Sequence, residues 1–277
     1  MLNKKRIKLI FKSSPALISI FILLTCFIAS PLQAEEINSP FHLSPVTDGI
    51  IAGSGIAIYG SYFLCDKILN LNPDPTPDFS GTLDSVNIFD RKFANPYSHT
   101  QDRISDVLAA VTILSPAFLM CTPSSNWVTI GTMYAETALL AYSLKCAGKY
   151  FISRTRPYMF FSGYPEDDVT AGDWNDSFPS AHATMTFAAA AFSTYVFAQY
   201  FPDSSWKYGV AAISYTAAIL TSAMRITSGC HYATDILAGA AIGTVCGLVI
   251  PWAHTLGGTS TSPVEISPSG IYISFKF

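Results

Sequence analysis

Five long, nearly uncharged stretches constrain the fold of this chain more than any other feature of its sequence. They contain two charged residues, Glu136 and Lys145, and they cover residues 107–121, 127–147, 183–200, 208–224 and 236–253. Most approach the about 20 apolar residues that a helix needs to cross a bilayer. The sequence therefore predicts an all-α helical bundle. A membrane-embedded bundle and the buried core of a soluble bundle are both compatible with these stretches.

The composition excludes some classes of function. Of the 277 residues, half are hydrophobic and 13% are charged, and the formal net charge is -3. Such a chain offers no basic surface for nucleic acid, so we expect no nucleic-acid partner. The six cysteines show neither metal-finger nor redox spacing, and we expect no disulfide framework.

The chain divides into four predicted regions, which are residues 1–34, 35–103, 104–255 and 256–277. The first has a basic start, an apolar run and a small residue, Ala34, which are the marks of a secretory signal; an uncleaved anchor helix is the alternative. The second is predicted to be a linker, a short glycine-rich apolar helix at 49–64, and a long loop. The third is the helical core, and the fourth is a polar tail with one short strand at 271–277.

Two Asp-Arg pairs lie within the predicted long loop, which covers residues 66–103. They are Asp90-Arg91 and Asp102-Arg103. Such pairs either remain on the surface, where charged side chains stay hydrated, or tie the loop to the core. We expect them to be surface charges.

The first polar cluster follows the second apolar stretch and contains Lys149, Arg156 and Pro157. Lys149 and Arg156 are seven residues apart, so they would share a helix face if the helix continued to Pro157. Arginine pairs bidentately with phosphate, and lysine adds a compact positive charge. The alternative is a basic helix end that interacts with the helix dipole or marks a membrane face.

The second cluster, Ser177 to His182, has the pattern of a helix start. Ser180 follows Pro179 and precedes an apolar run, as an N-cap residue would. The free N–H groups of such a helix start can bind an anion, and His182 would lie beside it in the first turn. The alternative is a polar histidine at a helix end with no chemical role.

The third cluster places Arg225 at the end of one apolar stretch and His231 and Asp235 before the next. The histidine and the carboxylate are four residues apart and would meet on one helix face. A carboxylate bonded to one ring nitrogen leaves the other nitrogen free as a nucleophile. A capping aspartate and a metal pair are alternatives, but the three basic side chains favour an anionic ligand over a cation.

Together, and in this order, the clusters resemble the type 2 phosphatidic acid phosphatase family, which shares its fold with bacterial class A acid phosphatases and vanadium haloperoxidases. The family pattern is Lys, six residues, Arg-Pro; then Pro-Ser-Gly-His; then Ser-Arg, five residues, His, three residues, Asp. This chain matches it over about residues 100–255 with two departures, Ala181 in place of Gly and Met224 in place of Ser.

The resemblance implies a bundle of this family's kind and a two-step phosphoryl transfer without metal ion or other cofactor. His231 would attack phosphorus and form a phosphohistidine, while Asp235 orients it. His182 would protonate the leaving oxygen and then activate water. The phosphate oxygens would be bound by Lys149, Arg156, Ser180, Ala181 and Arg225.

The family's membrane members act at the periplasmic face, which constrains the predicted topology. The N-terminal signal crosses outward, so residues 49–64 should not span if Lys149 is to lie outside. The turn at 122–126 would then be cytoplasmic. We expect a lipid phosphate or diphosphate substrate and a membrane location. A periplasmic phosphatase of soluble phosphomonoesters, a vanadium haloperoxidase and a non-catalytic membrane protein are the alternatives.

Overall fold

The fold is an all-α bundle, as the apolar stretches predict. The computed structural model describes residues 39–71 and 81–256, together with the backbone of 264–267 and 270–273. The helices are α1 Pro45–Phe63, α2 Ile88–Arg91, α3 His99–Leu114, α4 Trp127–Phe151, α5 Glu166–Thr170, α6 Ala181–Tyr200, α7 Trp206–Thr227 and α8 Ala233–Thr255. The predicted signal peptide or anchor over residues 1–34 lies outside the described part of the chain.

Each predicted apolar stretch is helical, and most of the helices extend beyond it. The first stretch is the second half of α3 followed by a 3-10 helix, Ser115–Cys121. Pro116 lies at the change from α to 3-10 geometry because proline cannot donate the next backbone hydrogen bond of an α-helix. The long loop predicted over 66–103 is wrong at both ends. A π-helical turn continues α1 to Ile68, and α3 begins at His99.

Among the described residues, three helical segments are long and apolar enough to cross a membrane. They are His99–Cys121, Trp206–Thr227 and Ala233–Thr255. Their outward faces carry large apolar side chains: Leu237 is 60% exposed and Ile219 is 56% exposed. An apolar surface of this kind is stable against lipid and costly in water. The structure thus supports the membrane-embedded form of the predicted bundle.

The centre of the bundle is α6, which lies parallel to α8 at very short distance. Three glycines one helical turn apart, Gly239, Gly243 and Gly247, face the backbone of α6. A Cβ on Gly239 would lie 2.6 Å from the carbonyl oxygen of Ser180. On α6 the contact is made by small side chains, with Ala188 fully buried. Small residues on both helices allow this approach, and it brings the first turns of α6 and α8 side by side.

The shortest connections make neighbouring helices antiparallel. A short segment, Phe201 to Ser205, joins α6 to α7. As a result the end of α4, the end of α7, and the starts of α3, α6 and α8 lie at one end of the bundle. The polar clusters of the sequence occupy those helix ends.

The backbone of the tail forms a two-stranded antiparallel sheet. Strand β1, Val264–Ser267, pairs with β2, Gly270–Ile273, with Val264 opposite Ile273. The strand predicted at 271–277 thus overlaps β2, and residues 274–277 lie outside the described part.

Adding a methyl group at the α6–α8 contact should destabilise the bundle. A Cβ at Gly243 would overlap the Thr184 carbonyl oxygen and lie 2.8 Å from the Ala188 amide nitrogen. We expect Gly243→Ala to reduce stability by about 1–3 kcal/mol because a packed backbone must move. Gly131→Ala is the matched control, since a Cβ there meets no atom within 4 Å and should stabilise its helix by about 0.5–1 kcal/mol. Thermal unfolding in detergent measures both, and equal melting temperatures would contradict the close contact.

Candidate active site

A cavity of about 1070 Å³ opens at the end of the bundle where the polar clusters meet. The predicted site residues that line it are Lys149, Arg156, Ala181, His182, Arg225 and His231. The other two, Ser180 and Asp235, are fully buried behind the lining. The structure therefore brings together side chains that are up to 82 residues apart in sequence, from Lys149 to His231.

The prediction that Lys149 and Arg156 share one helix face is wrong. Helix α4 ends at Phe151, and the next residues are extended. The Arg156 amide donates to the carbonyl oxygen of Trp174 at 2.8 Å, which is not a helical bond. The residue before a proline is disfavoured in helical geometry, so Arg156 follows Pro157 into extended structure. Arg156 still faces the cavity beside Lys149, because the extended segment turns back over the end of α4.

Arg156 is buried and held by a carboxylate that the sequence analysis did not single out. Its Nη2 donates to both oxygens of Asp173 at 2.9 Å, and its Nε donates to the Asp173 carbonyl oxygen at 2.7 Å. Burial lowers the pKa of the guanidinium, but the Asp173 charge reverses that effect, and the net shift of the Arg156 pKa is upward. Burial raises the pKa of Asp173, but Arg156 and Lys149 outweigh it, so the Asp173 pKa falls below its usual value. Both groups are therefore charged at neutral pH.

Lys149 binds its proton less tightly than a lysine in water does. Burial and then the neighbouring Arg156 charge lower its pKa to about 8, although Asp176 and Asp173 act in the opposite direction. Its Nζ lies 3.2 Å from an Asp176 oxygen and 4.0 Å from Asp173. A phosphate arriving in the cavity would stabilise the charged form of this lysine.

The hydrogen bonds of His231 define its tautomer. Its Nδ1 lies 2.7 Å from the Ser177 carbonyl oxygen, which can only accept, so Nδ1 carries the proton. Its Nε2 lies 3.3 Å from Nη1 of Arg156, which can only donate, so Nε2 keeps its lone pair. Burial, and then the charges of Arg156, Arg225, Lys149 and His182, hold the pKa of His231 well below 6.5. The ring is therefore neutral at pH 7, with the lone pair of Nε2 available.

The predicted hydrogen bond between the His231 ring and the Asp235 carboxylate is absent from the described site. The nearest carboxylate oxygen is 3.7 Å from Nδ1. That carboxylate instead accepts from Ser177 Oγ at 2.6 Å, from the Tyr232 amide at 2.8 Å, and from Arg154 at 2.5 Å. These donors are closer because Asp235 lies in the first turn of α8, where backbone N–H groups are free. Asp235 thus orients His231 indirectly. It accepts a hydrogen bond from the Ser177 hydroxyl, and the Ser177 carbonyl oxygen accepts one from the His231 ring.

Arg154 and Asp90 form a buried network that the sequence analysis missed. Arg154 bridges Asp235 to Asp90, whose oxygen lies 2.7 Å from its Nη2, and it also donates to Thr234. The Arg154 guanidinium lies 4.2 Å from the centre of the Tyr232 ring. The expectation that Asp90 is a surface charge is wrong, because the residue is fully buried. Arg154 alternates with Arg156 along an extended segment, a signal visible only once that segment is known to be extended.

Helix α3 supplies the carboxylates for the far side of the cavity. Asp106 Oδ1 lies 2.9 Å from His182 Nε2, and Asp102 forms an ion pair with Arg225. The surface position expected for Asp102 is therefore wrong. The two aspartates are one helical turn apart, so they hold Arg225 and His182 from the same face of α3. Ser105 Oγ, 3.2 Å from Arg225, adds a third contact.

The predicted N-cap at Ser180 is confirmed. Its Oγ accepts from the Ala183 amide at 3.4 Å, and its own amide donates to the Asp235 carbonyl oxygen. Its hydroxyl is buried and engaged in capping. The predicted binding of phosphate by Ser180 and Ala181 stays a prediction. Ala181 is the first residue of α6. Positive φ outside glycine is limited to Asn70 in the described chain, so alanine replaces glycine at 181 without backbone strain.

The Lys149 pKa predicts how anion binding depends on pH. Lys149 is charged below about pH 8 and loses its proton as the pH rises through that value. Sulfate stays a dianion over this range of pH. Burial and Arg225 lower the pKa of His182 below its usual 6.5, so its protonation state does not change between pH 7 and 9. We expect sulfate to bind about tenfold more weakly at pH 9 than at pH 7 in a calorimetric titration, one proton being linked to binding. In Lys149→Arg the dissociation constant of sulfate should stay nearly constant, and an equal loss of affinity in this variant would contradict the assignment to Lys149.

Part of the chain matches a known protein family. The family model described as the PAP2 superfamily matches residues 130–257, the segment that supplies every predicted site residue. The lipid A 1-phosphatase of Porphyromonas gingivalis is 35% identical over 136 residues, which are 48% of this chain and 26% of that protein. This chain thus matches about a quarter of the length of that relative.

A solved structure is also similar. It is the crystal structure of a transmembrane PAP2 type phosphatidylglycerolphosphate phosphatase from Bacillus subtilis. The alignment covers 88% of this chain and 98% of that chain, with 15% sequence identity and a TM-score of 0.38.

Proposed function

We propose that the protein is a membrane phosphatase, because residues 130–257 match the family model described as the PAP2 superfamily. It hydrolyses a lipid phosphate or diphosphate at the periplasmic face, through a phosphohistidine and without a metal ion. The candidate substrates share a phosphate on an apolar anchor: phosphatidate, phosphatidylglycerol phosphate, isoprenyl diphosphate and the 1-phosphate of lipid A. The last is suggested by the name of the Porphyromonas relative.

The observation that carries this proposal is the state of His231. A neutral imidazole has its Nε2 lone pair in a cavity that also contains Lys149, Arg156 and Arg225. Three cations beside one unprotonated nitrogen favour a bound phosphate whose phosphorus faces that nitrogen. A surface histidine without a chemical role would have no reason for such an arrangement.

The proposed reaction has two steps. Nε2 of His231 attacks phosphorus and forms an N–P bond, and the P–O bond to the lipid breaks. His182, whose protonated form would be stabilised by the bound phosphate and by Asp106, gives its proton to the leaving oxygen. Water then attacks the phosphohistidine, His182 takes a proton from that water, and the N–P bond breaks to release inorganic phosphate. His182 starts the next cycle protonated, since it regains in the second step the proton lost in the first.

The surrounding groups would stabilise the charge of the transition state. Lys149, Arg156 and Arg225, with the free N–H of Ala181 at the start of α6, would bind the non-reacting oxygens. Asp173 and Asp102 hold the two arginines in place before substrate arrives. Positioned donors need no rearrangement during the reaction, which is the basis of electrostatic catalysis in such sites.

One wall of the cavity favours a lipid substrate over a soluble one. Ile104, Val107 and Leu108 of α3 line the cavity next to Asp106. They belong to His99–Cys121, one of the segments able to cross a membrane. An acyl or isoprenyl chain could therefore lie along α3 within the bilayer while its phosphate enters the cavity. The periplasmic side for this end of the bundle is taken from the membrane members of the family that the sequence resembles.

Removal of the nucleophile tests the reaction. We expect His231→Ala to reduce the rate of phosphate release by more than about a thousandfold, because the variant lacks the nitrogen that attacks phosphorus. Purified full-length protein in detergent would be given each candidate lipid and a water-soluble phosphomonoester, with no metal added. His42→Ala, an exposed histidine, is the control and should keep full activity.

The intermediate itself can be trapped. Rapid quenching with 32P-labelled substrate should give an acid-labile, alkali-stable phosphoprotein that His231→Ala does not form. Preference for the soluble ester would replace the lipid proposal with a periplasmic acid phosphatase. Turnover that persists in His231→Ala would remove the nucleophile assignment.

A substitution on α3 separates lipid from soluble substrates. We expect Val107→Asn to raise KM for the lipid about tenfold, because contact with about two methylene groups is lost. KM for the water-soluble ester should stay unchanged, since its phosphate binds to other residues. Val128→Asn, at an exposed position of α4, is the matched control. An equal change for both substrates would show that Val107 does not contact the lipid chain.

A further inference from the structure

A second cluster of ionisable side chains lies at the end of the bundle opposite the cavity. It joins Asp48 in the first turn of α1, Glu136 in α4 and His254 in the last turn of α8. His254 follows Asp235 by nineteen residues of α8, which corresponds to about 28 Å along a helix. The cluster is therefore separate from the proposed active site and independent of its function.

The three side chains converge on one point. His254 Nε2 lies 3.1 Å from Asp48 Oδ1 and 3.3 Å from Glu136 Oε2, and all three atoms lie within 4.8 Å of one another. Glu136 and His254 are 4% and 1% exposed, whereas the Asp48 side chain is 25% exposed. The cluster is thus closed toward the core and open on the Asp48 side.

The hydrogen bonds around His254 give its Nε2 the character of a ligand atom. Nδ1 lies 2.9 Å from the Ile250 carbonyl oxygen, so Nδ1 carries the proton in the neutral ring. Nε2 then presents a lone pair to two carboxylate oxygens that also bear lone pairs. Histidines that bind metals have this same arrangement, with the other ring nitrogen donating to a carbonyl oxygen.

The Glu136 carboxylate also points to a bound cation, independently of the hydrogen bonds around His254. Its Oε2 is buried and has no hydrogen-bond partner in the described part of the chain, and it faces His254. Burying a carboxylate oxygen without a hydrogen-bond donor costs free energy. A positive charge between these three atoms would offset that cost.

We propose that Asp48, Glu136 and His254 bind a zinc ion. Zinc bonds to imidazole nitrogen and carboxylate oxygen at about 2.0–2.2 Å, which separates tetrahedral ligand atoms by about 3.3–3.6 Å. The observed separations of 3.1 and 3.3 Å are close to that spacing, the first slightly below it. Magnesium and calcium prefer all-oxygen sites, so the imidazole selects against them. Water would occupy the fourth position, on the exposed side of Asp48.

The ion would act as a structural tie between three helices. Helix α1 buries Gly55 alone among its residues, so its apolar packing onto the bundle is limited. A zinc ion shared by α1, α4 and α8 would fix the start of α1 to the two core helices. This role requires no contribution to phosphate chemistry, and loss of the ion would leave the distant cavity residues in place.

Metal content and affinity test the site directly. Full-length protein in detergent would be stripped with EDTA, dialysed, and titrated with zinc against a chromophoric chelator. We expect one zinc per chain, and cobalt substitution should give the visible absorption bands of tetrahedral Co²⁺. Glu136→Gln and Asp48→Asn should weaken zinc binding by more than about a hundredfold. A residue that only hydrogen-bonds to a metal ligand would lower the affinity by about 10- to 100-fold. The controls His231→Ala, His182→Ala and His42→Ala should still bind one zinc.

Thermal unfolding gives a second measurement that does not depend on activity. Zinc should raise the melting temperature of the wild type and of His231→Ala, but not of Asp48→Asn, whose partly exposed position tolerates the change. The proposal is overturned if micromolar zinc does not bind, if binding survives in Glu136→Gln and Asp48→Asn, or if the histidine controls abolish it. It is also overturned if stability responds to pH but not to zinc, because a protonated His254 bridging the carboxylates would then replace the ion.

Discussion

The approach of α6 to α8 is the contact on which the site depends. Glycines on α8 allow its backbone to touch that of α6, and the two helices run parallel. Their first turns therefore lie side by side, and the Ser180 amide bonds to the Asp235 carbonyl oxygen. Because the cap of one helix and the first turn of the other are joined, His182 and His231 enter the same cavity. A longer interhelical distance would separate the two imidazoles.

Carboxylates hold each charged member of the cavity before any ligand binds. Asp173 and Asp102 fix the two arginines, and Arg154 fixes Asp235. Buried charges of one sign would repel one another and lose hydration, so the site is stable only because each cation has an anionic partner. Burial, and then the charges of Arg156, Arg225 and Lys149, lower the pKa of His231 and keep its ring neutral.

The two ends of the bundle have different proposed tasks. At one end, helix ends and loops present cations to a cavity, where a phosphate would be bound and cleaved. At the other end, Asp48, Glu136 and His254 draw three helices together. The helices between them bury small residues and expose apolar faces, as a structure surrounded by lipid requires. Helix α8 connects both ends, with Asp235 in its first turn and His254 in its last.

The sequence by itself predicted the helices and the resemblance to a phosphatase family, because uncharged stretches and motif spacing are local properties. It identified the cavity residues and the Ser180 cap, and the PAP2 match agrees with that resemblance. Tertiary structure decided the rest. The extended path of Arg156, the Ser177 carbonyl on His231 and the burial of Asp90 depend on contacts between distant segments, which no local pattern contains. The sequence indicates which side chains could take part in chemistry, and the packing of distant segments determines which groups each of them contacts.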